Sequence, residues 1–153
     1  MSTPAITALE QAGTPYTLHK YAVAADSELS YGAVAAQALG VPVVQVFKTL
    51  IAELDTTELV VAVVPVSGQL NLRALAQAAG AKKAVMAEPG KAEKSSGYVT
   101  GGISPFGQRK RLRTFVENSA IGLDRMYVSA GKRGLQLAVS PADLVKLTGA
   151  SIL

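Results

Sequence analysis

Of the 153 residues in the chain, 49% are hydrophobic and 17% charged, a balance that suits one folded domain with a proper core and excludes a disordered segment. Fifteen Lys and Arg against eleven Asp and Glu give a net charge of +4; this is compatible with nucleic acid or another polyanion, and many small enzymes share it. There is no cysteine, which excludes disulfides, thiolate metal sites and a cysteine nucleophile.

The first residues, "MSTPAITALEQAG", have neither a basic n-region nor a continuous apolar h-region and do not read as a signal peptide. The longest apolar run, "LVVAVVPV", is far short of the ~20 residues a membrane helix needs. The expectation is a soluble, cytoplasmic protein.

Thr3 and Pro4 read as an N-cap and first helical residue, with Gly13 as the stop and Ile6, Leu9 and Ala12 on one face. "TPYTLHKYAV" alternates as a strand. From about Ser30, Tyr31, Val34, Ala35, Ala38 and Leu39 follow the helical spacing up to Gly40. "VVQVFKTLIAEL" is rich in β-branched residues and reads as a strand. "ELVVAVVPV" reads as a central strand, apolar on both faces and ending at Pro65. Asn71 caps a helix carrying Leu72, Leu75, Ala76 and Ala79, stopped by Gly80. Pro89 opens a short helix ending at Gly97, and a loop follows over roughly 99–112. "RMYVSAGKRGLQLAV" reads as a hairpin turning at Gly131, Lys132, Arg133 and Gly134. Ser140 and Pro141 start a last helix with Leu144, Val145 and Leu147. Interspersed helices and strands with a hairpin predict an α/β fold, a single domain over 1–153 in which helices surround a mixed, barrel-like sheet.

Familiar catalytic kits are missing. The single histidine, His19, excludes His-rich zinc sites and has no nucleophile motif near it, so it reads as a half-buried strand residue. Neither GxxxxGK[ST] nor GxGxxG occurs. Lys48 interrupts an apolar row, Val44, Val46, Lys48, Leu50 and Ala52, on one strand face. It is open to two readings: an edge gatekeeper or snorkelling ammonium, or a cation aimed into a pocket to hold a carbonyl, carboxylate or phosphate.

"TGGISPFGQRKRLRTF" puts Gly101, Gly102 and Pro105 directly before Arg109, Lys110, Arg111 and Arg113. The glycines permit close backbone approach to a ligand, or they form a plain connection. The cations are a solvated face or a phosphate-binding rim, which Lys132 and Arg133 would extend if the fold joins the two turns.

Taken together, "VFKTL", "VVPVSGQLNLRALAQAAGAKKAVMA", "SSGYVTGGISPFGQRKRL" and "YVSAGKRGLQL" resemble, in order and spacing, the YbaK/EbsC group of aminoacyl-tRNA deacylases. These are stand-alone relatives of the editing domain of bacterial prolyl-tRNA synthetases, and the resemblance runs from about Pro4 to Leu147. It implies a cofactor-free and metal-free enzyme acting on the acceptor end of aminoacyl-tRNA, closest to the type that clears cysteinyl-tRNA(Pro). Lys48 matches the family lysine, and the Gly-x-x-x-Pro loop falls on Gly101, Gly102, Ile103, Ser104 and Pro105. Tyr21, Thr49 and Ser129 match positions that line the pocket in relatives. This chain departs from the YbaK type at Ala130 and Gln136, where relatives carry Gly and Asp. Gln136 would accept a hydrogen bond from the substrate amine without the charge attraction.

The implied mechanism needs no protein nucleophile, because the cysteinyl thiol attacks its own ester to form a strained thiolactone. Lys48 would hold the carbonyl or the terminal phosphate, the Gly101 and Gly102 N–H groups would receive the oxyanion, and 109–113 with Lys132 and Arg133 would follow the RNA phosphates. A deacylase using water on alanyl-tRNA(Pro), or a non-catalytic module binding tRNA or a synthetase, are the other readings. The basic patch is small and no anticodon-binding module is visible, so prolyl-tRNA synthetase is a plausible partner; DNA and membrane are not expected partners.

Overall fold

The computed structural model describes residues 2–22 and 31–153, with the side chains of 31–34 outside that description. The expected helix start at Ser30 and the side chains of Tyr31 and Val34 therefore lie outside the described residues.

Helix α1, Pro4–Gln11, starts where the Thr3 hydroxyl accepts from the Ile6 N–H at 3.2 Å and donates to the Ala130 carbonyl. One side chain thus caps the helix and ties it to a distant strand. The short edge strand β1, Thr17–Lys20, follows, then α2, Tyr31–Leu39, which Gly40 leaves with φ +67°. The expected strand from Val43 begins later. Val43–Gln45 is a 3-10 turn opened by Pro42, with the Gln45 and Val46 N–H groups closed on the Pro42 and Val43 carbonyls. Proline's fixed φ favours that turn over the β-branched preference of two valines, and Val44 is left exposed.

Strands β2, Phe47–Leu54, and β3, Leu59–Pro65, pair antiparallel with Lys48 opposite Val64. Helix α3, Leu72–Ala79, is capped by the Asn71 side chain and ended by Gly80 at φ +77°. Strand β4, Ala84–Met86, and helix α4, Pro89–Ser96, precede the glycine loop. Then come β5, Thr114–Val116; the hairpin of β6, Met126–Lys132, and β7, Leu135–Val139; helix α5, Pro141–Thr148, on its Ser140 cap; and β8, Ser151–Ile152. A bulge between Ser129 and Lys132 moves the hairpin turn onto Arg133 and Gly134.

The strands form two sheets. One is mixed, in the order β4-β2-β3-β5-β8, with β5 parallel to both its neighbours; the other, β1-β7-β6, is antiparallel. A parallel bridge between Val46 and Tyr127 links them. The expected mixed α/β architecture is present, and its barrel-like character takes the form of two open sheets meeting at that bridge rather than a closed cylinder. Alternation along β2 and β3 separates two apolar layers. Phe47, Ile51, Val61 and Val63 face α1, α5 and the hairpin, whereas Ala52, Leu54, Val60, Ala62 and Val64 face Leu75 and Ala76 of α3. Each fully buried aliphatic side chain in these layers contributes about 1.5–3 kcal/mol.

Past the loop, Gly107 has φ +66°, and a side chain there would run into the Pro4 and Ala5 backbone of α1. Gly107→Ala is expected to lower the free energy of unfolding by about 2–4 kcal/mol, a steric clash added to a left-handed backbone. Gly68→Ala, with open space at its Cβ, should stay within about 0.5 kcal/mol. Urea denaturation of the two variants beside wild type checks the contrast.

Candidate functional site

Strand β4 pairs only with residues 52–54 of β2, and its last connection is the Ala87 N–H to the Ile51 carbonyl at 3.0 Å. Along 47–50, that edge of β2 has no strand partner within its sheet among the described residues. The chain instead enters α4 at Pro89, crosses the gap and returns through the glycine loop. A cleft of about 510 Å³ results, with β2 from Phe47 to Ile51 as one wall. Ala87, Pro89, Ala92, Thr100, Gly101 and Ile103 form the other, and Ser129 and Gln136 of the hairpin close one end.

Six of the residues singled out from the sequence meet here: Lys48, Thr49, Gly101, Ile103, Ser129 and Gln136. They come from three separate stretches of chain. Lys48 is half-buried, and its ammonium donates to the Gly68 carbonyl at 2.9 Å. That bond uses one of three N–H donors and holds the cation at the lip. Thr49 and Gln136 are 8% and 6% exposed, and Thr49 Oγ1 and Gln136 Oε1 are buried without a hydrogen-bond partner among the described residues. Leaving such atoms unsatisfied costs about 1–3 kcal/mol each; both lie just beneath the cleft surface, within residues that line it. Ser129 sits opposite Gln136 and accepts from the Gly131 N–H at 3.1 Å.

The loop is held from several sides. The Gly102 N–H closes a turn on the Val99 carbonyl at 2.9 Å, with Gly101 at φ +89° as its third residue, a conformation that favours glycine. Gly102 is glycine for a different reason: a Cβ there would lie 2.8 Å from the Lys132 backbone. The Tyr98 hydroxyl donates to the Phe106 carbonyl at 2.6 Å and straps the loop across its base. Burial pushes the Tyr98 phenol up to about 12, partly offset by the Ala5 backbone, so it stays a donor throughout the physiological range. Glu93 accepts from the Thr100 N–H at 2.8 Å. That bond holds its carboxyl below the usual carboxylate range, with nearby Arg133 adding to the effect.

Other expected site residues lie elsewhere. Since the Gly102 N–H is engaged in its turn, it is not available to an oxyanion; among the described residues the Gly101 N–H has no partner. Ser104 is fully buried behind the wall: its hydroxyl accepts from the Phe106 N–H and its carbonyl from Gln108 Nε2. Pro105 lines a separate hollow of about 240 Å³ with Lys110 and Arg111. Tyr21 is tied by its N–H to the Gly134 carbonyl at 3.0 Å and does not line the cleft.

The basic run does not form one stripe. Arg109 packs over Gly97, Lys110 is fixed by its backbone to Ser95, and Arg111 donates to the Leu147 carbonyl at the end of α5. Arg113 makes two bonds to the Glu58 carboxylate, at 2.8 and 2.9 Å, and a third to the Ala79 carbonyl. Glu58 is level with the far end of β2, remote from Lys48. The hairpin turn, by contrast, does touch the glycine loop, and Arg133 donates twice to the Thr100 carbonyl, at 2.7 and 3.1 Å. His19 is half-buried, bonded to the Thr17 hydroxyl and edge-on to Tyr127.

Residues missed by sequence reasoning include the apolar wall of Met86, Ala87, Pro89 and Ala92, together with the loop supports Glu93 and Tyr98. A three-residue strand leaves no periodic signal, although the aromatic inside "SSGYVTGG" was one.

Residues 26–147 match the model of the aminoacyl-tRNA editing domain. The chain is 38% identical over 146 residues, 95% of its length and 88% of the relative's, to a candidate Cys-tRNA(Pro)/Cys-tRNA(Cys) deacylase, EbsC, of Enterococcus faecalis (strain ATCC 700802 / V583). Among solved structures it superposes on a candidate trans-editing enzyme for prolyl-tRNA synthetase with a TM-score of 0.86 at 22% identity, over 100% of this chain and 96% of that one. Hypothetical protein APE2540 also gives a TM-score of 0.86, at 24% identity over 98% and 97% of the two chains. At such identities these two likenesses speak for the fold, while the sequence matches speak for the lineage: this chain belongs to the aminoacyl-tRNA editing domain family.

Proposed function

We propose that the chain hydrolyses mischarged aminoacyl-tRNA, with cysteinyl-tRNA(Pro) as its preferred substrate. The observation that carries this reading is the meeting of Lys48, Gly101, Thr49 and Gln136, the last two with orphaned buried oxygens, in one cleft whose lining holds hydroxyls but no histidine or carboxylate to activate them. The EbsC likeness supports the choice of cysteine. At about 510 Å³, the cleft exceeds a cysteinyl group and leaves room for part of the terminal nucleoside.

In this reading the two free Lys48 donors bind the ester carbonyl or the adjacent phosphate, and Gln136 Oε1 accepts from the substrate ammonium. The Thr49 hydroxyl, both donor and acceptor, binds a ribose hydroxyl. The cysteinyl sulfur attacks its own ester carbon, and the Gly101 N–H donates to the oxyanion that forms. The carbon–oxygen bond to the ribose then breaks, the thiol proton passes to the departing ribose oxygen, and the strained thiolactone is opened by water. The protein supplies position and charge. RNA affinity comes from exposed cations around the mouth, Lys132 foremost, with Arg109 and Lys110 further along and Arg111 beyond; Arg113 takes no part, being paired with Glu58. Prolyl-tRNA synthetase, which already holds this tRNA, is the natural delivery partner.

Lys48→Ala is expected to slow single-turnover hydrolysis of cysteinyl-tRNA(Pro) by about 100-fold or more. Wild type should spare prolyl-tRNA(Pro). Rapid loss of alanyl-tRNA(Pro) instead would keep the reaction and overturn the substrate; loss of neither ester would favour the binding module. Seryl-tRNA(Pro), which differs by oxygen for sulfur, separates the nucleophiles. A substrate-thiol route leaves it nearly uncleaved, and comparable rates would mean that water attacks. For RNA contact, Lys132→Ala should weaken binding across tRNA sequences and flatten the salt dependence of log K by about one phosphate.

A further inference from the structure

The Thr100 backbone is gripped from both sides. Its N–H donates to Glu93 Oε2 of α4 at 2.8 Å, and its carbonyl accepts from Arg133 Nη2 and Nε of the hairpin at 2.7 and 3.1 Å. The Thr100 carbonyl and the Gly101 N–H belong to the same planar peptide unit. In a trans peptide these two groups point in opposite directions, so fixing the oxygen fixes where the N–H points. A two-pronged guanidinium constrains the plane of that unit better than a single donor would. It also draws electron density toward the carbonyl, which strengthens the N–H on the other side as a donor. Apart from the turn that Gly102 closes on Val99, Gly101 has little to hold it: it has no side chain, is exposed and lines the cleft. Contact of Gly102 with the Lys132 backbone keeps the hairpin and the loop in register.

We infer that Arg133 and Glu93 are positioning residues that aim and polarise the Gly101 N–H, and that Arg133 serves the chemical step rather than RNA affinity. This rests on the deacylase reading above for its kinetic consequence but not for its structural one.

The test is single-turnover hydrolysis of cysteinyl-tRNA(Pro) at saturating enzyme, with tRNA affinity measured separately and hydrogen exchange at the Gly102 amide, which closes the turn on Val99, followed in the free protein. Arg133→Ala is expected to slow the saturated rate by about tenfold or more, the loss of a charged hydrogen bond. Its tRNA affinity should stay within about twofold and its Gly102 exchange should rise as the turn loosens. Arg133→Lys, which keeps the charge and loses the fork, should fall between, and it serves where the alanine variant folds poorly. Glu93→Ala should also slow the rate by about tenfold, and Glu93→Gln, which retains an acceptor oxygen, should recover most of it. The double alanine variant should be non-additive, since both residues hold one segment.

An unchanged saturated rate with weaker, less salt-dependent tRNA binding in Arg133→Ala would make Arg133 an RNA contact and overturn the inference. Unaltered Gly102 exchange in that variant would overturn it as well. If wild type cleaved no ester at all, the deacylase reading would fail by itself, and the exchange measurement would still decide whether the grip exists.

Discussion

The site depends on one mismatch in length: β2 has eight residues and β4 has three. A β-sheet edge presents unpaired N–H and carbonyl groups that other chains can join, so a partner strand that stops early leaves something to be covered. The stop is written in "MAEPG". After the Ala87 N–H reaches Ile51, Pro89 has no N–H to continue the ladder, and its fixed φ suits the first turn of a helix. Helix α4 therefore leaves the sheet and shields the edge at a distance. At its end Gly97, with φ +83°, turns the chain back toward the gap. The cleft is the space between an edge that lost its partner and the helix that replaced it.

A loop of glycines beside such a space would be a poor instrument if it were as loose as its composition suggests. Its rigidity comes from groups that are not themselves in the cleft. Tyr98 bonds to the Phe106 carbonyl and Ser104 to the Phe106 N–H, while Gln108 reaches back to the Ser104 carbonyl. Gly107 rests against α1, and Gly102 against the hairpin. Three glycines within seven residues thus serve distinct ends: Gly101 a left-handed turn, Gly102 a close backbone approach, Gly107 both at once. The hairpin that closes the end of the cleft is fixed in turn by Thr3, which caps α1 and bonds to Ala130 with the same hydroxyl.

Much of this was legible in the sequence wherever a single residue type has a single physical use. The caps at Thr3, Asn71 and Ser140, and the stops at Gly40, Gly80 and Gly97, fall where their chemistry puts them. Lys48 stood out because an ammonium in an apolar row demands a reason. Strands β4, β5 and β8, of three, three and two residues, carry no readable period, and they exist because longer neighbours offer them a ladder. The basic run shows that adjacency in sequence is not a shared anchor: its chain is irregular over 108–113, and Arg109, Arg111 and Arg113 each pack against or bond to a different partner. Gln136 was visible only through the family resemblance and not from local pattern, because its place in the cleft depends on β6 and β1 flanking β7 and on a bulge.

The two orphaned acceptors also bear on how such a cleft can be selective. Of the four buried side-chain atoms without a partner among the described residues, two, Thr49 Oγ1 and Gln136 Oε1, belong to residues that line the cleft, so that a small turn of either side chain would present it to a ligand. Each lowers the stability of the free protein by about 1–3 kcal/mol, a cost the two packed apolar layers can absorb. A ligand that brings donors to both recovers this energy on binding, and one that lacks a donor at either position does not. A site built this way rejects the wrong ligand by leaving its own groups unsatisfied, which discriminates far better than an apolar wall can on size alone. The apolar residues around these acceptors exclude water and so make the missing hydrogen bonds count.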